Sequence, residues 1–311
     1  DCKALTNFML AALKQVNIAS YPALIKAGSE AKIKADFPAS QFNHVVACAI
    51  VAKDTIWLEC TSQISNPNDI GSFTGDREAL LITKTGGKLV RTPAFHAKQN
   101  GRNSWVKVLL DANGDGAIEM DTKFSGFQFE RREKLLHGLT HEAQKNWLMN
   151  HLNLPSLELK QFEWKLLEGE QLQLNEKLHM QVRNCASKSG KRLFLKMSLL
   201  NEALEIPAIS ERDQDFYLPL SEYAFSNEHM VTYTIPEKYQ IETMVPSALL
   251  TSIFGNYELK MERKDNEIVA TRKLLLHGGR FAAKDYATWI DFLKKIRKAD
   301  RTQLVLVSSD K

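Results

Sequence analysis

Three residues near the start of the chain could together do chemistry: Cys2, His44 and Glu59. Cys2 follows Asp1, a residue suited to cap a helix, so its thiol stands at the first helical position. Unpaired backbone N–H groups and the helix dipole favour an anion there, which lowers a thiol's pKa and enlarges its thiolate fraction. His44 is a polar residue entering the apolar run Phe42-Asn43-His44-Val45-Val46, and Glu59 is an acid inside Trp57-Leu58-Glu59-Cys60-Thr61. A thiol, an imidazole to take its proton and a carboxylate to orient that imidazole are the parts of nucleophilic acyl transfer. The plainer alternatives are that Cys2 is a small hydrophobe and that His44 and Glu59 sit on a solvated sheet face.

The elements that must bring these residues together are a helix and a hairpin. Leu5, Phe8, Met9, Ala12, Leu13 and Val16 recur at helical spacing after Cys2. Tyr21 to Ile25 reads as a strand, followed by a polar connection from Lys26 to Ser40. Phe42–Val51 and Thr55–Thr61 read as strands joined by Ala52-Lys53-Asp54. If Ala52 pairs with Thr55, Cys48 lies opposite Glu59, and His44 shares its face. That register leaves His44 and Glu59 four residues apart, roughly 13 Å, so a bulge or longer turn is expected to close the gap. A second hairpin is expected around Gly86-Gly87, between Leu80–Thr83 and Lys88–Arg91. One helix on an antiparallel sheet makes an α+β first half.

Beyond Pro93 strands dominate. Trp105–Leu110 and Ala117–Lys123 flank a turn rich in Gly and Asp, and Phe129–Leu152 is helical with a break near Gly138. Leu172, Leu174, Leu178, Met180 and Val182 fall on one face, and Leu193–Leu199, His229–Ile235 and Tyr257–Arg263 also alternate, as in a half-buried antiparallel sheet or sandwich. A last helix carries the stripe Tyr286, Trp289, Ile290, Leu293 and Ile296, read as core, and Gln303–Val307 closes the chain as a strand. The expected division is 1–97 and 98–311, with helices near 129–152 and 283–298.

Composition excludes several classes. At 311 residues, 44% hydrophobic and 25% charged, the chain is a globular one of two or three domains rather than a fibre or a disordered tail. A net charge of +4 is too small and dispersed to imply nucleic acid, and no apolar run is long enough to span a membrane. The 4 cysteines include no CxxC pair, so neither a disulfide scaffold nor structural zinc is supported. Cys48 and Cys60 fall on opposite faces of the hairpin, and Cys185 has no visible role. Asp111-Ala112-Asn113-Gly114-Asp115-Gly116 opens like a calcium loop, but the twelfth position is Thr122 rather than a bidentate Glu. His141-Glu142-Ala143-Gln144-Lys145 lacks the second His of a zinc-peptidase helix, and His137 with His141 lacks a third ligand. No metal or cofactor is expected.

Four segments in order carry a family resemblance: Asp1-Cys2-Lys3-Ala4-Leu5-Thr6, Ser20-Tyr21-Pro22-Ala23-Leu24-Ile25, Phe42-Asn43-His44-Val45 and Trp57-Leu58-Glu59-Cys60-Thr61. They resemble the transglutaminase-like (papain-like) core, a family with a Cys–His–Asp triad in this order. The resemblance implies Cys2 as nucleophile, His44 as base and Glu59, in place of the usual Asp, as the orienting acid. Tyr233-Thr234-Ile235-Pro236-Glu237, Phe254-Gly255-Asn256-Tyr257 and Ala283-Lys284-Asp285-Tyr286 resemble large secreted proteins of Bacteroidetes-type bacteria, in which such a core lies between β-rich domains of unknown function. The implied fold is α+β: the C-terminal part of a transglutaminase-like core on an antiparallel sheet, then a β-sandwich-type domain with a helical insertion. The implied activity is thiol-dependent acyl transfer at amide bonds, peptide or isopeptide hydrolysis or transamidation, on a protein or peptide substrate. The alternative is a non-catalytic scaffold or a binding module for protein or carbohydrate. The implied location is periplasmic or secreted. The family also has helices ahead of its cysteine. The chain opens on Asp1 without an initiator Met, so it is read as a processed product or fragment, expected to be inactive alone and to associate with the missing N-terminal segment.

Overall fold

The carboxylate of Asp1 accepts the backbone N–H of Ala4 at 3.0 Å and so starts the first helix, α1 (Cys2–Gln15). The computed structural model describes residues 1–28, 33–52, 54–62, 64–169, 171–196, 199, 204–208 and 211–309. Residues 29–32 of the expected polar connection, Lys53 of the hairpin turn, and Met197 and Ser198 of the strand expected over Leu193–Leu199 lie outside the described residues. The chain forms two units, Asp1–Phe95 and His96–Lys311.

In the first unit α1 is followed by β1 (Ala19–Ile25), β2 (His44–Val51), β3 (Asp54–Leu58), α2 (Gly71–Thr74), β4 (Glu78–Thr83) and β5 (Gly86–Arg91). The sheet order is β3-β2-β1-β4-β5, antiparallel throughout. The period of two in each strand buries Ala23, Ile25, Val46, Cys48, Trp57 and Leu81 in one cluster. Val45, Ala47 and Ala49, of opposite parity on β2, are buried as well, and α1 lies against β1 and β2. Thr6, the most buried residue of α1, donates its hydroxyl to the Val45 carbonyl at 3.1 Å. Of the expected helical stripe, Met9 and Leu13 are half-buried, whereas Leu5, Phe8 and Val16 are 44%, 72% and 63% exposed.

The first hairpin differs from the expected register, and the second from the expected turn residues. Val51 pairs with Asp54 and Cys48 with Trp57, so the two-residue turn lies one residue earlier than expected and takes in Ala52, at φ +56°. Cys48 therefore does not oppose Glu59. Instead β3 ends at Leu58, and Glu59, just past the strand, comes level with Val46. The offset from His44 along the strand is two residues, roughly 7 Å, and no bulge is needed. In the second hairpin Thr83 pairs with Gly86, which puts Lys84 and Thr85 in the turn and both glycines in β5.

The second unit begins with β6 (Gly101–Leu110), β7 (Gly116–Ser125), α3 (Phe127–Gly138), α4 (His141–His151), β8 (Leu157–Leu167), β9 (Gln173–Val182), β10 (Ser187–Ser189) and β11 (Arg192–Lys196). It continues with β12 (Phe216–Leu218), α5 (Leu220–Tyr223), β13 (Phe225–Thr234), β14 (Tyr239–Thr243) and β15 (Ala248–Ser252). The last elements are β16 (Gly255–Lys264), β17 (Glu267–Leu276), β18 (Gly279–Phe281), α6 (Tyr286–Asp300) and β19 (Gln303–Ser308). Eight strands form one sheet in the order β15-β16-β17-β13-β6-β7-β9-β8. The β6–β13 pair is parallel, so this sheet is mixed rather than purely antiparallel; a parallel neighbour needs a crossover, and a long stretch of chain separates the two strands. A second sheet, β10-β11-β19-β14, shares its core with the large one: Leu193 and Leu306 join Met120, Leu178, Tyr233 and Trp289 in a single apolar cluster. The molecule is thus mixed α/β and dominated by sheets.

Candidate active site

Cys2 occupies the first turn of α1 and His44 the first residue of β2, so one sits at a helix start and the other at a strand start. Asn43 fixes the approach to His44. Its side chain accepts the Ala27 N–H at 2.7 Å and donates to the Ala27 carbonyl at 3.0 Å, tying the loop before β2 to the end of β1. His44 Nε2 lies 2.9 Å from Glu59 Oε2, and the two side chains are 7% and 10% exposed. Nδ1 is left as the ring nitrogen not on Glu59, and the Cys2 thiol interacts with the same imidazole, each shifting the other's pKa. The three residues singled out in the sequence are therefore contiguous.

The electrostatics follow from that contact. Burial opposes ionisation of Cys2, but the hydrogen bond and charge of His44, with backbone contacts at Val45 and Lys3, outweigh it and lower the thiol pKa. The Glu59 hydrogen bond raises the His44 pKa against the opposing effect of burial, aided by the charges of Glu59 and Cys2. For Glu59 burial again opposes the charged form, and hydrogen bonds from His44 and Thr61 overcome it, lowering the carboxyl pKa. The other thiols move the opposite way. Burial raises Cys48 and Cys60, and it pushes Cys185 up to about 11, with the Asp115 charge assisting.

Two neighbours were not legible as site residues. Thr61 donates its N–H at 3.0 Å and its hydroxyl at 2.5 Å to Glu59 Oε1, leaving Oε2 for the imidazole. The only sequence signal was the Glu-x-Thr spacing, which suits a local side chain–backbone turn. Phe73 of α2 stands edge-on to His44 with ring centroids 5.7 Å apart, and it is 52% exposed. Arg77 holds that segment by donating to the carbonyls of Ser72, Gly75, Lys26 and Gly28.

The other motifs have structural roles. Asp111 accepts the N–H groups of Asn113 and Asp115 at 2.8 and 2.9 Å, closing the β6–β7 turn. His141 stacks on Phe162 with centroids 4.3 Å apart. Among the described residues no group of three His, Cys, Asp or Glu could hold a metal ion, and all four cysteines are free. No helix among them is long and apolar enough to cross a membrane.

Residues 191–306, within the second unit, match the family model of DUF3858, a domain of unknown function with a solved structure. No curated protein matches the chain. Among solved structures, it is similar to one described as a "putative protease" from Parabacteroides distasonis, at 12% identity and a TM-score of 0.46. The match takes in 97% of this chain and 43% of that one, so the chain spans less than half the length of that protein.

Proposed function

We propose that the first unit carries out thiol-dependent acyl transfer at amide bonds, with Cys2 as nucleophile, His44 as general base and acid, and Glu59 as the group that orients His44. The observation that carries the reading is the His44–Glu59 contact at 2.9 Å, with the Cys2 thiol close enough to the same imidazole for its pKa to be lowered by it. His44 takes the thiol proton, and the thiolate sulfur attacks the carbonyl carbon of the amide. Positive charge on the imidazole is matched by Glu59, and the oxygen that becomes negative is met by the Cys2 N–H at the start of α1. When the tetrahedral adduct collapses, the C–N bond breaks and His44 returns the proton to the departing amine. Water, or a second amine, then takes the acyl group from sulfur and regenerates the thiol. The half-exposed Phe73 ring beside His44 gives the entrance an apolar edge suited to a peptide side chain.

The test is release of amine from a panel of fluorogenic peptide amides, run with the intact chain and with Cys2→Ala, the fold of each followed by circular dichroism. Turnover that vanishes in Cys2→Ala supports the reading. Measurable turnover that is equal in the two proteins sinks it.

A further inference from the structure

The face of the eight-stranded sheet that meets the core carries a row of polar residues directly across five strands. Arg272 pairs with His229, His229 with Ser104, Ser104 with Thr122 and Thr122 with Glu176. All five are buried, His229 at 3% and Arg272 at 5% exposed. Polar groups on an inward face destabilise the fold unless each is paired, so the row can be checked member by member. The Thr122 hydroxyl donates to Ser104 at 3.0 Å, Glu176 accepts from the Trp164 indole at 2.8 Å, and Arg272 grips Asp300 through Nε and Nη2 at 2.7 and 2.9 Å. His229 is the exception. Among the described residues its buried Nδ1 has no hydrogen-bond partner, and the charges of Arg102 and Arg272 both act on the ring.

His229 also lines a cavity of about 430 Å³. Arg102 and Asn227, neighbours through the β6–β13 pairing, share its floor with His229 and Arg272, while Gln128 of α3 and Tyr223 of α5 lie on its walls. Burial, then the charges of Arg102 and Arg272, hold the His229 pKa well below the usual imidazole value, so the ring is neutral there. Asp300 already balances Arg272, and Arg102 has further interactions of its own. The carboxylates that line the cavity, Glu205 and Glu222, are both on exposed residues, at its rim. The rim therefore carries both signs, Glu205 and Glu222 with exposed Arg131, while the buried charges that line the cavity, Arg102 and Arg272, are guanidiniums.

We infer that this cavity is a binding site for a small organic anion, its carboxylate or phosphate head seated among Arg102, His229 and Arg272 and its apolar body against Tyr223 and Leu274. The head would give the imidazole a partner and meet guanidinium N–H groups in a setting where charge-assisted bonds are strong. The volume exceeds that of a bare oxyanion and lies in the range of small-molecule sites. The site belongs to the second unit and does not depend on the chemistry proposed for Cys2.

Calorimetric titration and thermal melting of the full chain with benzoate, phenyl phosphate, inorganic phosphate and benzamide test this. Benzoate or phenyl phosphate should bind at one site per chain and raise the melting temperature, and the better of the two identifies the head. Inorganic phosphate should bind more weakly, and neutral benzamide least. Asn227→Asp, which puts a carboxylate on the floor, should weaken the bound anion at least about tenfold. Gln128→Glu on α3 should do the same if the first variant does not fold. The His229 imidazole C–H resonance of the unsubstituted chain should move during the titration. Absence of binding by either aromatic anion overturns the inference, as does benzamide binding as tightly as benzoate, or saturation with the His229 resonance unmoved.

Discussion

Glu59 reaches His44 from one residue beyond the end of β3, its Oε2 2.9 Å from Nε2 while Thr61 holds Oε1. That placement explains the longer acid. The carboxylate is offset by two residues along the strand from the imidazole it serves, and the extra methylene of Glu lets it span the offset. Glu59→Asp should therefore lose the contact and cut amide turnover on the order of 10²-fold or more, the range for a general base that is no longer oriented. Glu59→Gln keeps the length and loses the charge. If Asp proves as active as Glu, the backbone gives way more easily than this arrangement implies.

Alkylation should discriminate among the cysteines. Cys2 is the one thiol shifted toward the thiolate, whereas Cys48, Cys60 and Cys185 are all shifted away. Peptide mapping after brief iodoacetamide treatment near neutral pH should find Cys2 modified first, with Cys185 last to respond as the pH is raised. In His44→Ala the lead of Cys2 should disappear, because the hydrogen bond and charge that lower its pKa are gone.

How much of this was legible beforehand depended on turns. Residue types and strand parity were enough to put His44 and Glu59 on one face, but their separation depended on whether Ala52 or Val51 opens the turn. Nothing in Ala52-Lys53-Asp54 resembles the Asn-Gly or Asp-Gly signals that fix a two-residue hairpin, so the residue types leave open whether Ala52-Lys53 or Lys53-Asp54 makes the turn. Glu176 told a different story. It sits at an even position in a strand whose even positions are otherwise apolar, so its burial was there to be read. The alignment of Glu176 with Thr122, Ser104, His229 and Arg272 was not, because it depends on the pairing of β6 with β13, far apart in the chain.

Thr61→Val tests whether Thr61 positions Glu59. Removing the hydroxyl leaves the backbone N–H in place and takes away one hydrogen bond to a charged oxygen, a loss of about 1.5–3 kcal/mol when fully expressed. The Glu59 pKa should rise toward its ordinary value, and the acid limb of Cys2 alkylation should move to higher pH. Amide turnover should fall about tenfold. An unmoved acid limb would show that Thr61 only shapes the turn.

The His44–Glu59 pair also predicts a stability profile. His44 is raised in the folded state, so its contribution is full below the ordinary imidazole value of 6.5 and is lost as pH climbs through the higher folded value. Glu59 is lowered, so its contribution is full above the ordinary carboxyl value of 4.5 and is lost as pH falls through the lower folded value. The pair stabilises most between about 4.5 and 6.5. In a Cys2→Ala background, which removes the coupling to the thiol, the melting difference between His44 and His44→Gln should peak in that window and shrink on both sides. A difference that keeps growing above it would contradict the raised imidazole.

The Arg272–Asp300 pair in the second unit makes the sharpest stability prediction. Both side chains are largely buried, at 6% and 15% exposed, and the Tyr257 hydroxyl donates to the same carboxylate at 2.8 Å. Two charges brought together out of water gain little net stability over an apolar pair, but removing one leaves the other without compensation. Asp300→Asn should cost about 3–5 kcal/mol, a fall in melting temperature on the order of 10 °C for a unit of this size. Arg272→Met with Asp300→Leu removes both charges, and although it strands the Tyr257 hydroxyl it should cost less than Asp300→Asn alone. Thermal melts of the single and double variants decide the point. A double variant less stable than the single one would mean that the ion pair stabilises the fold by more than its members cost to bury.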